Sequence, residues 1–191
     1  MPNSITSKLA LAGLLTLSML AAGGASAQMA MTDPMVGGAA MYPTKTIVQN
    51  AVNSPDHTTL VAAVKAAGLV DTLSGPGPFT VFAPTNEAFD KLPPGTVDTL
   101  VKPENKAMLT KILTYHVVSG AYTAKQLMKM VKAGGGTTSL STVQGEPLTI
   151  TQMGHHLMVT DAKGDVAHVT IGDVIQSNGV IHVVDTVLMP N

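Results

Sequence analysis

The side chains best able to bind a metal or move a proton are few and widely spaced. Of six His, only His155 and His156 adjoin. Neighbours on a strand point to opposite faces, and no His-x-His or Glu-x-x-His spacing accompanies them. They read as exposed residues of a hairpin turn and not as a preformed metal site. Met29, Met31, Met35 and Met41 form the second cluster. Thioethers are soft ligands suited to Cu(I), so this stretch is a minor candidate for soft-metal binding; a low-complexity linker is the plainer reading. The chain has no Cys, which excludes disulfides, thiolate metal sites and Cys nucleophiles. It also lacks a Gly-x-Ser-x-Gly elbow, a phosphate loop and a dinucleotide fingerprint. Asp56, Asp161 and Asp165 stand where caps and turns use Asp for local reasons. The expectation is a chain without catalytic residues, metal or cofactor.

What carries these residues begins with a segment to be removed. Lys8 precedes an apolar run from Leu9 to Ala22, and Ala25-Ser26-Ala27 follows. A positive start, an apolar stretch and an A-x-A site make a secretory signal peptide over 1–27, with Gln28 as the mature N-terminus. The run is too short to cross ~30 Å of hydrocarbon at ~1.5 Å per residue. The product is expected to be exported, periplasmic or extracellular, with no membrane span. From Gln28 on, the chain holds 10 Lys, no Arg, 9 Asp and 3 Glu, a net charge of −2. Lys appears scattered, and the fork-shaped Arg donor is missing, which argues against nucleic acid and against charge-driven binding to anionic lipid.

Residues 28–44 show neither helical nor strand period and are expected to be an extended or mobile leader. The remainder, 45–190, divides into a helix-rich half and a strand-rich half. Helices are expected over Thr46–Val52, over Thr59–Ala67 with a left-handed stop at Gly68, from Pro84 to Phe89, and from Thr96 to Val101. Another starts at Pro103 with Met108, Leu109, Ile112 and Leu113 on its apolar face, and Thr123 caps one running to about Lys132. Strands are expected at Phe79–Ala83, Tyr115–Val118, Leu148–Thr151, Leu157–Thr160, Val166–Ile175 and Val180–Leu188. Asn178-Gly179 reads as a hairpin turn with positive φ at both positions. With three Phe, three Tyr and no Trp, the core must be aliphatic, and about 145 residues suffice to bury roughly two-thirds of the unfolded surface.

Three separated stretches resemble one known family. Phe79-Thr80-Val81-Phe82-Ala83-Pro84-Thr85-Asn86-Glu87-Ala88-Phe89 is similar to the first signature of fasciclin domains. Tyr115-His116 is similar to the family's central Tyr-His pair, and Asn178-Gly179-Val180-Ile181-His182-Val183-Val184-Asp185 to its second signature. Together they cover nearly all of 45–190 in family order. The resemblance implies an α+β fold, a twisted β-wedge of about seven strands with packed helices. It also implies a non-catalytic role in adhesion, matrix contact or surface interaction, as a single-domain bacterial member.

The signature residues have physical readings as well. Strand alternation places Phe79, Val81 and Ala83 on one face and Phe82 on the other. Phe82 and Phe89 read as core, and Thr85 and Asn86 as helix caps. His182 alternates with Val180 and Val184, so it too should face the core and need a partner. Tyr115 and His116, on a strand, would point to opposite faces. They are either part of an adhesion surface, as the resemblance implies, or a buried His bonded to backbone beside a Tyr on the sheet. Asp173-Val174-Ile175 falls where the resemblance implies an Asp-Ile type integrin-recognition element. The expected partner is a surface or matrix protein or glycan, met by a monomer. The alternative is a carrier of an apolar small molecule such as a carotenoid, which some algal fasciclin proteins bind.

Overall fold

The computed structural model describes residues 33–191; the expected signal peptide, Met29 and Met31 lie outside them. Within the leader, β1 (Met35–Val36) and β2 (Ala39–Ala40) form a small antiparallel hairpin. Val36 and Met41 are buried against the domain. Residues 35–40 of the leader expected to be extended or mobile thus pair as a hairpin, and two apolar side chains too widely spaced to show a period anchor it.

The helical half follows. Thr46 caps α1 (Ile47–Ala51) in a reciprocal capping box with Gln49. A 3₁₀ turn, Pro55–His57, leads into α2 (Thr58–Ala67), which stops at Gly68 with φ 72°. Next come α3 (Val70–Ser74), β3 (Phe79–Pro84), α4 (Asn86–Asp90) and α5 (Thr96–Leu100). In α6 (Lys106–Tyr115), Leu109, Ile112 and Leu113 are buried as expected, but Met108 is 58 % exposed. Met108 stands one residue outside the stripe that the other three define.

After β4 (Val117–Ser119) and α7 (Ala124–Ala133) the chain alternates through β5 (Thr137–Ser141), β6 (Pro147–Met153), β7 (His156–Thr160), β8 (Val166–Gln176) and β9 (Gly179–Val184). The order β4-β3-β9-β8-β7-β6-β5 makes one seven-stranded sheet, antiparallel except for β3 beside β9. A bridge between Val118 and Thr142 brings the two ends of the sheet together, giving a wedge that nearly closes. The fold is α+β with seven sheet strands. Strand β5, Thr137-Thr138-Ser139-Leu140-Ser141, carries one buried apolar residue and so has no sequence alternation to betray it.

Two cores form, divided by β3 and β9. Val81, Ala83, Ile181 and Val183 face helices α1 to α6, with Phe79 packed alongside. Phe82 and Val184 face α7 and β5 to β8, with Leu127, Leu148, Ile150 and Val159. The alternation expected for Phe79, Val81 and Ala83 against Phe82 is what divides them. Every residue of β9 is buried, because a central strand with cover on both faces has no solvent side.

Candidate functional site

Tyr115 and His116 are not on a strand. Tyr115 ends α6 and His116 is its C-cap, so α6 runs two residues past Leu113, the last apolar position of its sequence pattern. Both are buried, at 0 % and 2 % exposure. His116 Nδ1–H donates to the Ile112 carbonyl at 2.9 Å, one helical turn back, and Nε2 accepts the Leu188 N–H at 3.0 Å. The two backbone groups fix a single neutral tautomer. Burial pushes the His116 pKa down to about 4, although the Ile112 carbonyl partly opposes this. Tyr115 Oη donates to the Pro147 carbonyl at 3.1 Å and accepts the Ala162 N–H at 2.9 Å. The pair thus ties α6 to the C-terminal segment and to the β5–β8 hairpins.

His182 is built the same way. It is fully buried in β9, opposite Phe82 in the parallel register, and the two rings stack at 5.7 Å between centroids. Nε2–H donates to the Tyr122 carbonyl at 2.8 Å, and Nδ1 faces the Asp173 N–H at 3.4 Å. Burial again lowers its pKa, against the Tyr122 carbonyl.

Thr85 caps α4 by accepting the Ala88 N–H. Asn86 works across the chain: its carbonyl oxygen accepts the Thr59 N–H at 3.0 Å and its amide donates to the Pro55 carbonyl at 2.8 Å. It caps α2 rather than its own helix. Pro84 ends β3 in the interior, Phe89 is buried, and Phe79 is half-buried.

Asn178 and Gly179 differ from the expected turn. Neither has positive φ. Asn178 instead accepts the Ile47 N–H at 3.0 Å and donates to the Leu73 and Gly75 carbonyls at 2.8 and 2.9 Å. It thereby stitches α1 and α3 to the sheet. A Cβ at Gly179 would lie 2.0 Å from the Phe79 carbonyl oxygen. Glycine is required there by the close approach of β3, which the local sequence does not reveal.

Of the residues expected to make contact, only Asp173 and Ile175 reach the surface. Asp173 and Ile175 are exposed, while Val174 between them is buried. Asp173 sits in irregular pairing of β8 with φ 57°, and its Oδ1 accepts the Ala124 N–H at 2.6 Å, at the start of α7. The structure therefore does not bring Tyr115, His116 and Asp173 to one contact face.

His155 and His156 are exposed at the β6–β7 turn, and no group of three His, Asp or Glu able to hold a metal occurs among the described residues. Met35 is 56 % exposed, whereas Met41 is buried in the helical core. An apolar cavity of about 40 Å³ lies between α1, α2, α3 and β3, lined by Ile47, Val61, Val64, Leu73, Val81 and Ile181 among others. It would hold a few small atoms, not a long polyene.

Comparison with known proteins decides the family. A model of the fasciclin domain matches residues 55–190. The chain belongs to the fasciclin domain family. It is 49 % identical over 170 residues to protein sll1483 of Synechocystis, covering 87 % of this chain and 86 % of that one. It is 39 % identical over 177 residues to the cell surface glycolipoprotein MPB83 of Mycobacterium bovis, covering 88 % and 71 %. The immunogenic protein MPT70 of Mycobacterium tuberculosis is 41 % identical over 145 residues, 73 % of this chain and 66 % of its own. The FAS1 domain pair of the insect cell adhesion molecule fasciclin I superposes with a TM-score of 0.69 at 23 % identity, over 77 % of this chain and 51 % of that one. In this fasciclin domain, no described helix is long and apolar enough to cross a membrane.

Proposed function

We propose that this chain is an exported, non-catalytic interaction module that works by contact at the cell surface or in extracellular matrix. One observation carries the reading. The two histidines of its signature motifs, His116 and His182, are buried with their ring nitrogens directed at backbone groups. Groups held so have neither the access nor the freedom that acid–base catalysis needs, so contact must fall to the exterior. The Ala25-Ser26-Ala27 site supports export, and the name of the Mycobacterium bovis relative places that protein at a cell surface. The partner class is a surface or matrix protein or glycan, bound by a monomer.

The test is attachment of labelled mature protein, residues 28–191, to intact cells of the native host. Saturable attachment is expected, with Gln28 as the N-terminus by mass spectrometry of exported material. No saturable attachment, or an intact Met1 on the exported chain, overturns the reading. A carotenoid carrier would instead show visible absorbance in natively purified protein.

A further inference from the structure

Helix α7 presents an arrangement that the fold does not need. Lys125, Lys129 and Lys132 recur at i, i+4 and i+7, so they share one face and span ~10.5 Å along the axis. All three are exposed. None takes part in an ion pair among the described residues, where the pairs are Lys91–Asp185, Lys111–Glu146 and His168–Asp185. From Gly120 to Gly145 there are three Lys and no acidic residue, whereas the rest of 33–191 has seven Lys against twelve Asp and Glu. Three of the ten lysines of 33–191 thus share one face free of acidic neighbours along the chain, in a protein that is otherwise acidic.

Stability does not explain the stripe. Like charges three or four residues apart disfavour a helix, and Lys125 stands in the first turn, where the helix dipole is positive; only Lys132, in the last turn, sits where the dipole favours a cation. The helix is nonetheless held firmly. Thr123 and Gln126 form a capping box, and Leu127 and Val131 are buried in the core. Three unpaired cations are therefore displayed on a rigid element. Beside them runs a shallow groove lined by Ala124, Met128 and Asp173 as well as the lysines. The strands that α7 packs on, β5 to β7, carry no Asp or Glu.

We propose that this face docks a linear anionic polysaccharide, one carrying carboxylate or sulfate groups at intervals along its length. The proposal rests on the surface-contact function above and names the partner. Lysine ammoniums are flexible point charges without the fork that reads phosphate bidentately, and they suit a run of spaced single anions. An anionic membrane fits less well. A helix that lies on lipid inserts an apolar face, and the apolar face of α7 is already occupied by the core.

The experiment is salt-gradient elution of the mature protein from immobilised heparin and from immobilised alginate. The triple variant Lys125→Gln, Lys129→Gln, Lys132→Gln is compared with Lys65→Gln, Lys102→Gln, Lys163→Gln, which removes the same charge elsewhere. Melting temperatures of both establish folding. Retention of the wild type and of the second variant is expected, with at least a tenfold loss of affinity for the α7 variant. Equal loss in both variants, or none in the α7 variant, overturns the proposal. So does absence of retention coupled to α7-dependent binding of phosphatidylserine vesicles. Cell attachment separates the two readings: attachment without polysaccharide retention removes the glycan alone, and retention without attachment removes the surface role alone.

Discussion

Around β3 and β9 the side chains of His116, Asn178 and His182 point inward and meet backbone groups there. Along α7 three lysines point outward and meet no ion-pair partner among the described residues. The first region holds the stretches that resemble the family signatures, and a buried polar group there tolerates few replacements. The second is free to vary without harming the fold. Recognition of the family therefore reports on the interior, while the partner of any one member is written on its exterior. The two regions should separate cleanly by experiment: interior changes act through stability, exterior changes through binding.

The largest interior effect is expected at Phe82. Phe82→Ala empties a site packed against His182 and the second core, and should cost ~3–5 kcal/mol in chemical denaturation. A cost under ~1 kcal/mol would mean that the division of the two cores by β3 is wrong. His116→Ala comes next. It strands the Leu188 N–H and the Ile112 carbonyl, so ~1–3 kcal/mol is expected. If stability instead stays within ~0.5 kcal/mol while cell attachment is abolished, the pair belongs to a contact surface and the comparison between regions collapses.

Acid should expose the same interior. The folded pKa of His116, about 4, lies below its ordinary 6.5. Between those values the unfolded chain binds the extra proton and the folded one does not. The contribution of neutral His116 is then complete above about pH 6.5 and is lost as pH falls toward 4, amounting to about 3 kcal/mol for that group. His57 and His182 shift in the same direction through burial. Melting temperature should fall across that window, and His116→Gln should flatten the fall. A flat profile in the wild type would show that His116 is reachable by solvent.

The β-wedge was legible from sequence where pattern is local: Gly68 stopping α2, Thr123 capping α7, and the alternation of Val81, Phe82 and Ala83. What could not be read depends on partners distant in the chain. Tyr115-His116 looks like a strand because both residues and the Val pair after them favour one; only the hydrogen bond to Ile112 shows the helix continuing to His116. The glycine at 179 answers to Phe79, 100 positions earlier, and not to its own φ. Strand β5 is nearly all Thr and Ser, so its place comes from pairing with β6. The lysine stripe was within reach, since Lys125, Lys129 and Lys132 have helical spacing, but a count of charges by composition overlooks direction.

The smallest expected effect is the one that best divides the two regions, at Asp173 where they meet. Its carboxylate accepts the Ala124 N–H at the start of α7 and it also lines the groove beside the lysines. Asn tolerates φ near +57° and keeps an acceptor oxygen in the same place. Asp173→Asn should thus leave stability within ~0.5 kcal/mol, the usual range for an ordinary surface position. The charge it removes is the negative one next to Lys125, so elution of the variant from alginate should move to slightly higher salt. An Asp that recognises a protein partner through its carboxylate predicts the opposite, loss of cell attachment on the same change. Tighter polysaccharide retention with attachment preserved favours the α7 face as the contact. Lost attachment with retention unchanged would move the contact to the Asp173–Ile175 edge of β8.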